Sequence, residues 1–414
     1  MRIVIASLLF VFAVTAAGSA QTVSKDPANE AQPGFFDEPG ILAKWVSLAD
    51  HYVGVTPLTP KNGFYPDLGN MITGAGWISA GPGYRQQFLD GHALVDGSAA
   101  VSWRAYKMAQ ARVQFMKLAG DRLTVGSEGR WQDSTQVEYF GIGADSVKDS
   151  HSEYRLKNTD IVGYASYNAT PWLAIGGTFG RLQNLSLSSS AGPFKRGYAD
   201  ALVTFPDDPG MAAQPNYLHG DVSVTADSRD SASRPTSGGV YRASFAAYSD
   251  RDFGQYSFRS YEVQGVQFAP VIGHSWVLAL RGWGAFSDTS NGNVVPFYLA
   301  PSLGGTNTLR GYYNYRFHDR NMLLASAESR WAVLRDLDLA AFFDAGSVAP
   351  RPGDLTLHKT SYGGGLRLHS RTATLVRADI GHSNEGLQLF VSLTDSFRLK
   401  RLDRVTGTDA PFVP

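Results

Sequence analysis

The chain has 414 residues, in which 37 Lys and Arg are balanced by 37 Asp and Glu, so its net charge is zero and it has no basic excess for a nucleic-acid partner. It contains no cysteine, which excludes a disulfide-stapled fold and a lipoprotein acylation site. Charged residues are 18% of the chain against a typical ~25%, with 44 Gly and 12% aromatics, a profile shared by large soluble β proteins and membrane β-barrels.

Met1-Arg2 forms a minimal positive n-region, and Ile3 to Ala17 an apolar stretch too short to cross a bilayer. The small residues Gly18-Ser19-Ala20 follow, so residues 1–20 read as a secretory signal peptide cleaved after Ala20. Beyond residue 20 there is no run of eighteen or more apolar residues, which excludes a transmembrane helix and leaves a closed barrel as the only spanning structure. Residues 21–68 are rich in Pro, Gly, Asp and Asn and are expected to form a periplasmic segment with one short helix, from Pro39 to about Tyr52. Pro39 suits a first helical turn, and Ile41, Trp45, Leu48 and Tyr52 share one face.

From about Met71 the pattern is alternation. Val95, Ala99, Val101 and Trp103 share one face, and Asp96, Ser98, Ser102 and Arg104 the other. Leu218, Val222, Val224 and Ala226 repeat this against His219, Asp221, Ser223, Thr225 and Asp227, and Leu387, Leu389, Val391 and Leu393 against Gln388, Phe390 and Ser392. Periodicity cannot tell whether the apolar face meets a protein core or lipid.

Strands are expected at 71–80, 84–90, 93–106, 107–118, 121–133, 153–169, 171–184, 217–227, 238–250, 255–268, 274–287, 320–332, 335–348, 358–369, 372–383 and 386–397. The first two are separated by Gly81-Pro82-Gly83, because Pro demotes a strand. The fold class is therefore all-β, a sixteen-stranded antiparallel transmembrane β-barrel over residues 69–397 with a short helix before it. An even count places both barrel ends in the periplasm. The long connections 134–152, 185–216 and 288–319 then all fall on the external side, as barrels with short periplasmic turns require. Phe397 is read as an outward-facing terminal aromatic, and residues 398–414 as a solvated periplasmic tail.

The segment Leu303-Gly304-Gly305-Thr306-Asn307-Thr308-Leu309-Arg310-Gly311-Tyr312 places one cation among glycines in one of the long connections. Two acids lie downstream of it, Glu328 within Ala325 to Arg330 and Asp344 within Phe342-Phe343-Asp344-Ala345-Gly346. At these residues the chain resembles the BamA/TamA superfamily, whose bacterial surface antigen barrel is shared with two-partner secretion transporters. The resemblance implies that Leu309, Arg310, Gly311 and Tyr312 form a loop motif folded into the lumen. It also implies docking partners on the twelfth and thirteenth strands, Glu328 on the first and Phe342, Asp344 and Gly346 on the second. It is strongest over residues 210–397 and generic before them. The family normally carries periplasmic POTRA domains upstream of its barrel, each longer than the space available here, and their absence is the main departure from the pattern.

Strand parity tests the motif independently. Leu337, Leu339, Ala341 and Phe343 mark an apolar face that leaves Asp338, Phe342 and Asp344 on the other. Leu323, Ala325, Ala327 and Trp331 do the same for Ser326, Glu328 and Arg330. Both acids thus face the lumen, where a carboxylate can meet water or a cation. A water-filled lumen would screen an Arg310–Asp344 pair to about 1 kcal/mol.

Other chemistry is sparse. The nine histidines show no ligand spacing, so neither a metal site nor a cofactor is expected. Gly273-His274-Ser275 and Gly381-His382-Ser383 evoke serine hydrolases, but the second has one residue too many for a nucleophile elbow, so no catalytic residue and no enzyme is expected. By resemblance the chain would act in outer-membrane biogenesis as a monomeric barrel in outer-membrane lipid, inserting or translocating unfolded protein clients or lipid. A passive channel or structural surface protein is the main alternative, and an outer-membrane lipid hydrolase a remote one.

Overall fold

The computed structural model describes residues 34–37, 39–44, 46, 62–69, 79–193, 196–231, 234–290, 292–369, 374–393, 395–397 and 399. The expected signal peptide and all of the tail except Leu399 lie outside the described residues. Within the expected helix, residues 40–44 and 46 are helical. Ile41, assigned to its apolar face, is exposed, and among the described residues of the helix Val46 is the buried one.

In chain order the strands are β1 (Gly63–Gly69), β2 (Ser79–Phe88), β3 (Ala93–Ser102), β4 (Lys107–Lys117), β5 (Leu123–Tyr139), β6 (Ser152–Thr170) and β7 (Leu173–Ser189). After the two-residue β8 (Ala199–Asp200) come β9 (Tyr217–Asp227), β10 (Gly238–Asp250), β11 (Phe258–Ile272) and β12 (Trp276–Asp288). The long loop carries the short β13 (Ser302–Leu303) and β14 (Phe317–His318), and the wall resumes with β15 (Asn321–Ala332), β16 (Leu337–Ala349), β17 (Lys359–His369), β18 (Thr374–Ser383) and β19 (Gly386–Ser392). Apart from β13 and β14 these strands form one seventeen-stranded sheet, antiparallel except where β8 pairs with β6. The ladder passes from neighbour to neighbour out to β1 at one end and β19 at the other, and among the described residues these two do not pair.

Burial decides what periodicity could not. Val95, Val101 and Trp103 are exposed while Asp96, Ser98, Ser102 and Arg104 are buried, and Val222 and Val224 are exposed while His219, Ser223 and Thr225 are buried. A soluble protein would bury the other set. Apolar side chains outward and polar side chains inward are the pattern of a barrel wall facing lipid, where a Lys or Arg at mid-depth would cost ~2–4 kcal/mol.

Some expectations are corrected at the ends of the wall. β2 runs unbroken through Gly81-Pro82-Gly83, and the first strand lies earlier, at Gly63–Gly69. Around Pro82 the β2–β3 register skips from Ala80↔Val101 to Gly83↔Ser98, and on the other edge Pro82 stands opposite Pro66 of β1, so a residue without an N–H faces another of its kind. β5 and β7 reach Tyr139 and Ser189, so the loops after them are shorter than expected. The last strand stops at Ser392 rather than 397. Phe397 is buried, not lipid-facing, and Leu399 is buried rather than solvated.

The interior is filled at three levels. Toward the long loops a cluster built on Tyr139, Tyr154, Tyr217, Phe297 and Tyr298 forms a cap. Below it, Leu303, Leu309, Tyr312 and Phe317 of the long loop pack on Met322, Leu324 and Val348 of the wall. At the end of the wall opposite the cap, Val240, Val266, Phe268, Val277 and Ala279 meet Phe397 and Leu399.

Candidate functional site: a loop clamp in the lumen

The loop between β12 and β15 folds inward because its backbone can turn tightly. Gly304 and Gly305 have φ of +115° and +97°, a region open to Gly at little cost. Thr308 N–H donates to the Gly305 carbonyl at 3.3 Å, Tyr312 N–H to that of Leu309 at 3.2 Å, and Gly304 N–H to Thr308 Oγ1 at 2.8 Å. This compact ring presents Arg310 to the wall.

Arg310 makes a bidentate contact with Asp344, Nε to Oδ2 and Nη2 to Oδ1, both 2.9 Å, and its backbone N–H adds a third bond at 3.2 Å. Its Nη1 donates to Glu328 Oε2. Its guanidinium lies 3.6 Å from the Phe342 ring centroid, a cation–π contact in a dry setting. Both acids are wholly buried and the Arg310 side chain is 2% exposed, so the expected screening by lumen water does not operate. Gly346 completes the seat, since a Cβ there would stand 3.0 Å from Leu303 Cδ1. Gly311 and Gly381 let the loop touch the β17–β18 wall: a Cβ on Gly311 would meet Ser361 Cβ at 2.7 Å, and one on Gly381 would strike the Arg310 carbonyl. Tyr312 donates to Asn384 Oδ1 at 2.7 Å, and Ser383 Oγ donates to the Gly311 carbonyl at 2.7 Å.

The structure thus brings together Leu309, Arg310, Gly311, Tyr312, Glu328, Phe342, Asp344 and Gly346, and adds a second ring of charge that sequence reading did not assign. Glu328 also accepts from Arg330 Nε at 2.7 Å and Arg367 Nη2 at 3.0 Å, while Arg367 Nη1 donates to Asp379 at 2.6 Å. Arg281 Nη1 holds the Asn307 carbonyl at 2.6 Å, and Arg377 Nη2 the Thr306 carbonyl at 2.8 Å, so two more guanidiniums grip the loop tip. A signal was present. Arg367, Arg377 and Asp379 have the parity opposite to Leu366, Val376 and Ile380, which are exposed on the outer face.

The loop is also tied to the external cap. Arg316 Nε donates to Glu385 at 3.0 Å and its Nη1 to Ser146 Oγ at 2.7 Å, and Gly143 N–H donates to the His318 carbonyl at 2.7 Å. Two histidines in these loops are held below the ordinary imidazole range. Burial, aided by Arg196, Arg316 and Arg104, pushes His151 down to about 3, and burial pushes His318 down to about 3. Their folded pKa lies below the ordinary ~6.5, so these two imidazoles bind fewer protons with the cap closed than with it open. The stability they contribute is present above ~6.5 and falls as the pH drops toward 3. Asp208 and Asp319, raised by burial, act in the opposite sense. Cleavage of the external loops by a protease active across the range should therefore be faster at pH 5.5 than at 7.5. The difference should vanish in a His151→Gln/His318→Gln variant, and equal acid sensitivity in that variant would remove the histidines from the account.

No curated protein matches the chain in sequence. In fold it is similar to BamA from Haemophilus ducreyi lacking POTRA domains 1–3, with a TM-score of 0.56 and 14% identity over 81% of this chain and 71% of that one. It is also similar to CdiB from Escherichia coli, with a TM-score of 0.51 and 13% identity over 80% of this chain and 62% of that one, so it spans less than two thirds of CdiB. The Omp85 superfamily domain matches residues 121–383, reaching well upstream of the part where the motifs are most specific, and the chain belongs to that superfamily of bacterial outer-membrane β-barrel proteins.

Proposed function

We propose that this protein is an outer-membrane biogenesis barrel of the BamA/TamA type, closing on sixteen strands and passing protein clients into or across the membrane through the seam between β1 and β19. The observation that carries the reading is the pairing of a filled lumen with a seam at which, among the described residues, β1 and β19 do not pair. The clamp and cap leave a passive solute channel little to conduct through, and a client strand could add at this seam by β-augmentation. The barrel would act as a monomer in outer-membrane lipid. A role in lipid hydrolysis is not proposed, because Ser383 Oγ is engaged as a donor to Gly311 and an acceptor from Glu385 N–H.

The chain contains no cysteine, so paired cysteines scanned along β1 and β19 can report the seam alone. Reconstituted protein should accelerate insertion of an unfolded barrel client into liposomes. Oxidation of a seam pair should stop this, and reductant should restore it. Insertion that continues through a locked seam would reject the route, and large steady conductance without insertion would favour the passive channel.

A further inference from the structure

Beyond β19, residues 395–397 and Leu399 lie inside the lumen, away from the wall strand they follow. Ser396 Oγ lies 3.2 Å from Glu328 Oε2, and Asp395 pairs with Arg330 at 3.0 Å. Those partners sit on β15, four strands from β19, about 19 Å around the wall at ~4.8 Å per strand. Arg281 on β12 donates to the Ser396 carbonyl at 3.5 Å. The Phe397 ring centroid stands 5.5 Å from the guanidinium of Arg330, 5.8 Å from that of Arg310 and 5.9 Å from that of Arg281.

The wall beneath this segment is unusual. A barrel lumen of this kind is polar, yet Val240, Val266, Phe268, Val277 and Ala279 turn inward on adjoining strands β10, β11 and β12 and form an apolar patch at the end opposite the cap. Phe397 and Leu399 cover it, 3% and 9% exposed. Five inward apolar side chains in a wet channel would bring no benefit, but they are what an aromatic and an aliphatic side chain need to bury themselves.

We propose that Asp395, Ser396, Phe397 and Leu399 form a resident plug. The apolar patch with Arg281 and Arg330 above it is a peptide-binding site for an extended segment bearing a carboxylate, then an aromatic and an aliphatic side chain. The chain's own C-terminal segment fills that site, seals the periplasmic mouth and ties the end of β19 to the Arg310 clamp. Release of the plug must precede pairing of β19 with β1 and opening of the lumen. The proposal does not depend on what the barrel transports.

The cysteine-free chain allows a direct test in the full-length protein. Phe397→Cys and Leu399→Cys, each as the only thiol, should react with a membrane-impermeant maleimide at least tenfold more slowly than Val203→Cys, whose site on an external loop is 78% exposed. Adding Asp395→Asn should raise both slow rates about tenfold and enlarge bilayer conductance, and Asp395→Glu should restore them. Heat-modifiable mobility on gels checks that each variant is folded. Labelling of both positions as fast as Val203→Cys in folded protein, or rates and conductance unmoved by Asp395→Asn, would overturn the plug.

Discussion

Glu328→Gln is expected to weaken the folded barrel more than any other single substitution in the lumen. The Glu328 carboxylate is the shared acceptor of Arg310, Arg330 and Arg367 and of Ser396 Oγ, and it is wholly buried. The amide keeps the shape but removes the charge, and its nitrogen turns a donor toward guanidiniums that can only donate. Arg310, Arg330 and Arg367 each retain one acid, Asp344, Asp395 and Asp379. The cluster therefore loosens at its centre without all of its ion pairs parting. Breaking a buried pair from one side costs ~3–5 kcal/mol, and three cations sharing one lost charge place this change at the upper end. The temperature at which the fast-migrating folded band disappears on a gel should fall, and conductance should rise because loop and plug share the lost anchor. An unchanged transition with unchanged conductance would mean that the three guanidiniums are held by their outer acids alone.

Most of the wall was legible in the sequence because its signal is local. The predicted strands 217–227 and 238–250 coincide with β9 and β10, since alternation needs no knowledge of neighbours. The loop motif and its two acids were legible through the family resemblance, and parity agrees by turning Glu328 and Asp344 inward, where both are buried. What failed was whatever depends on long-range packing. Phe397 has outward parity only if β19 continues past Ser392, and nothing local shows that the chain will cross to Arg281 and Arg330. Pro82 broke a predicted strand because its tolerance depends on a gap in the neighbouring ladder. A wet lumen was expected because nothing local shows that three fillings from distant parts of the chain together bury Arg310.

Arg310→Ala is the second large effect, and its size follows from that correction. Arg310 supplies Asp344 with three hydrogen bonds, and among the described residues the other side-chain donor to that carboxylate is Ser361 Oγ at 3.5 Å. Alanine removes two of the three and leaves a carboxylate with no exposed surface short of a cation. The cost should approach the ~3–5 kcal/mol of a buried pair broken from one side, well above the ~1 kcal/mol of an exposed one. Glu328 keeps Arg330 and Arg367, so the damage centres on the loop and its seat on β16. The loop should leave the lumen and conductance should rise. Asp344→Asn should do less: its nitrogen then faces one guanidinium donor, but its oxygen still accepts from Arg310, which keeps Glu328 as its counter-ion. In the Arg310→Ala background Asp344→Asn should then be partly restorative, since it neutralises the carboxylate that alanine stranded. The double mutant should melt above Arg310→Ala alone while conducting as freely. Fully additive losses in the double mutant would show that Arg310 and Asp344 act through separate contacts, and the loop would need another anchor.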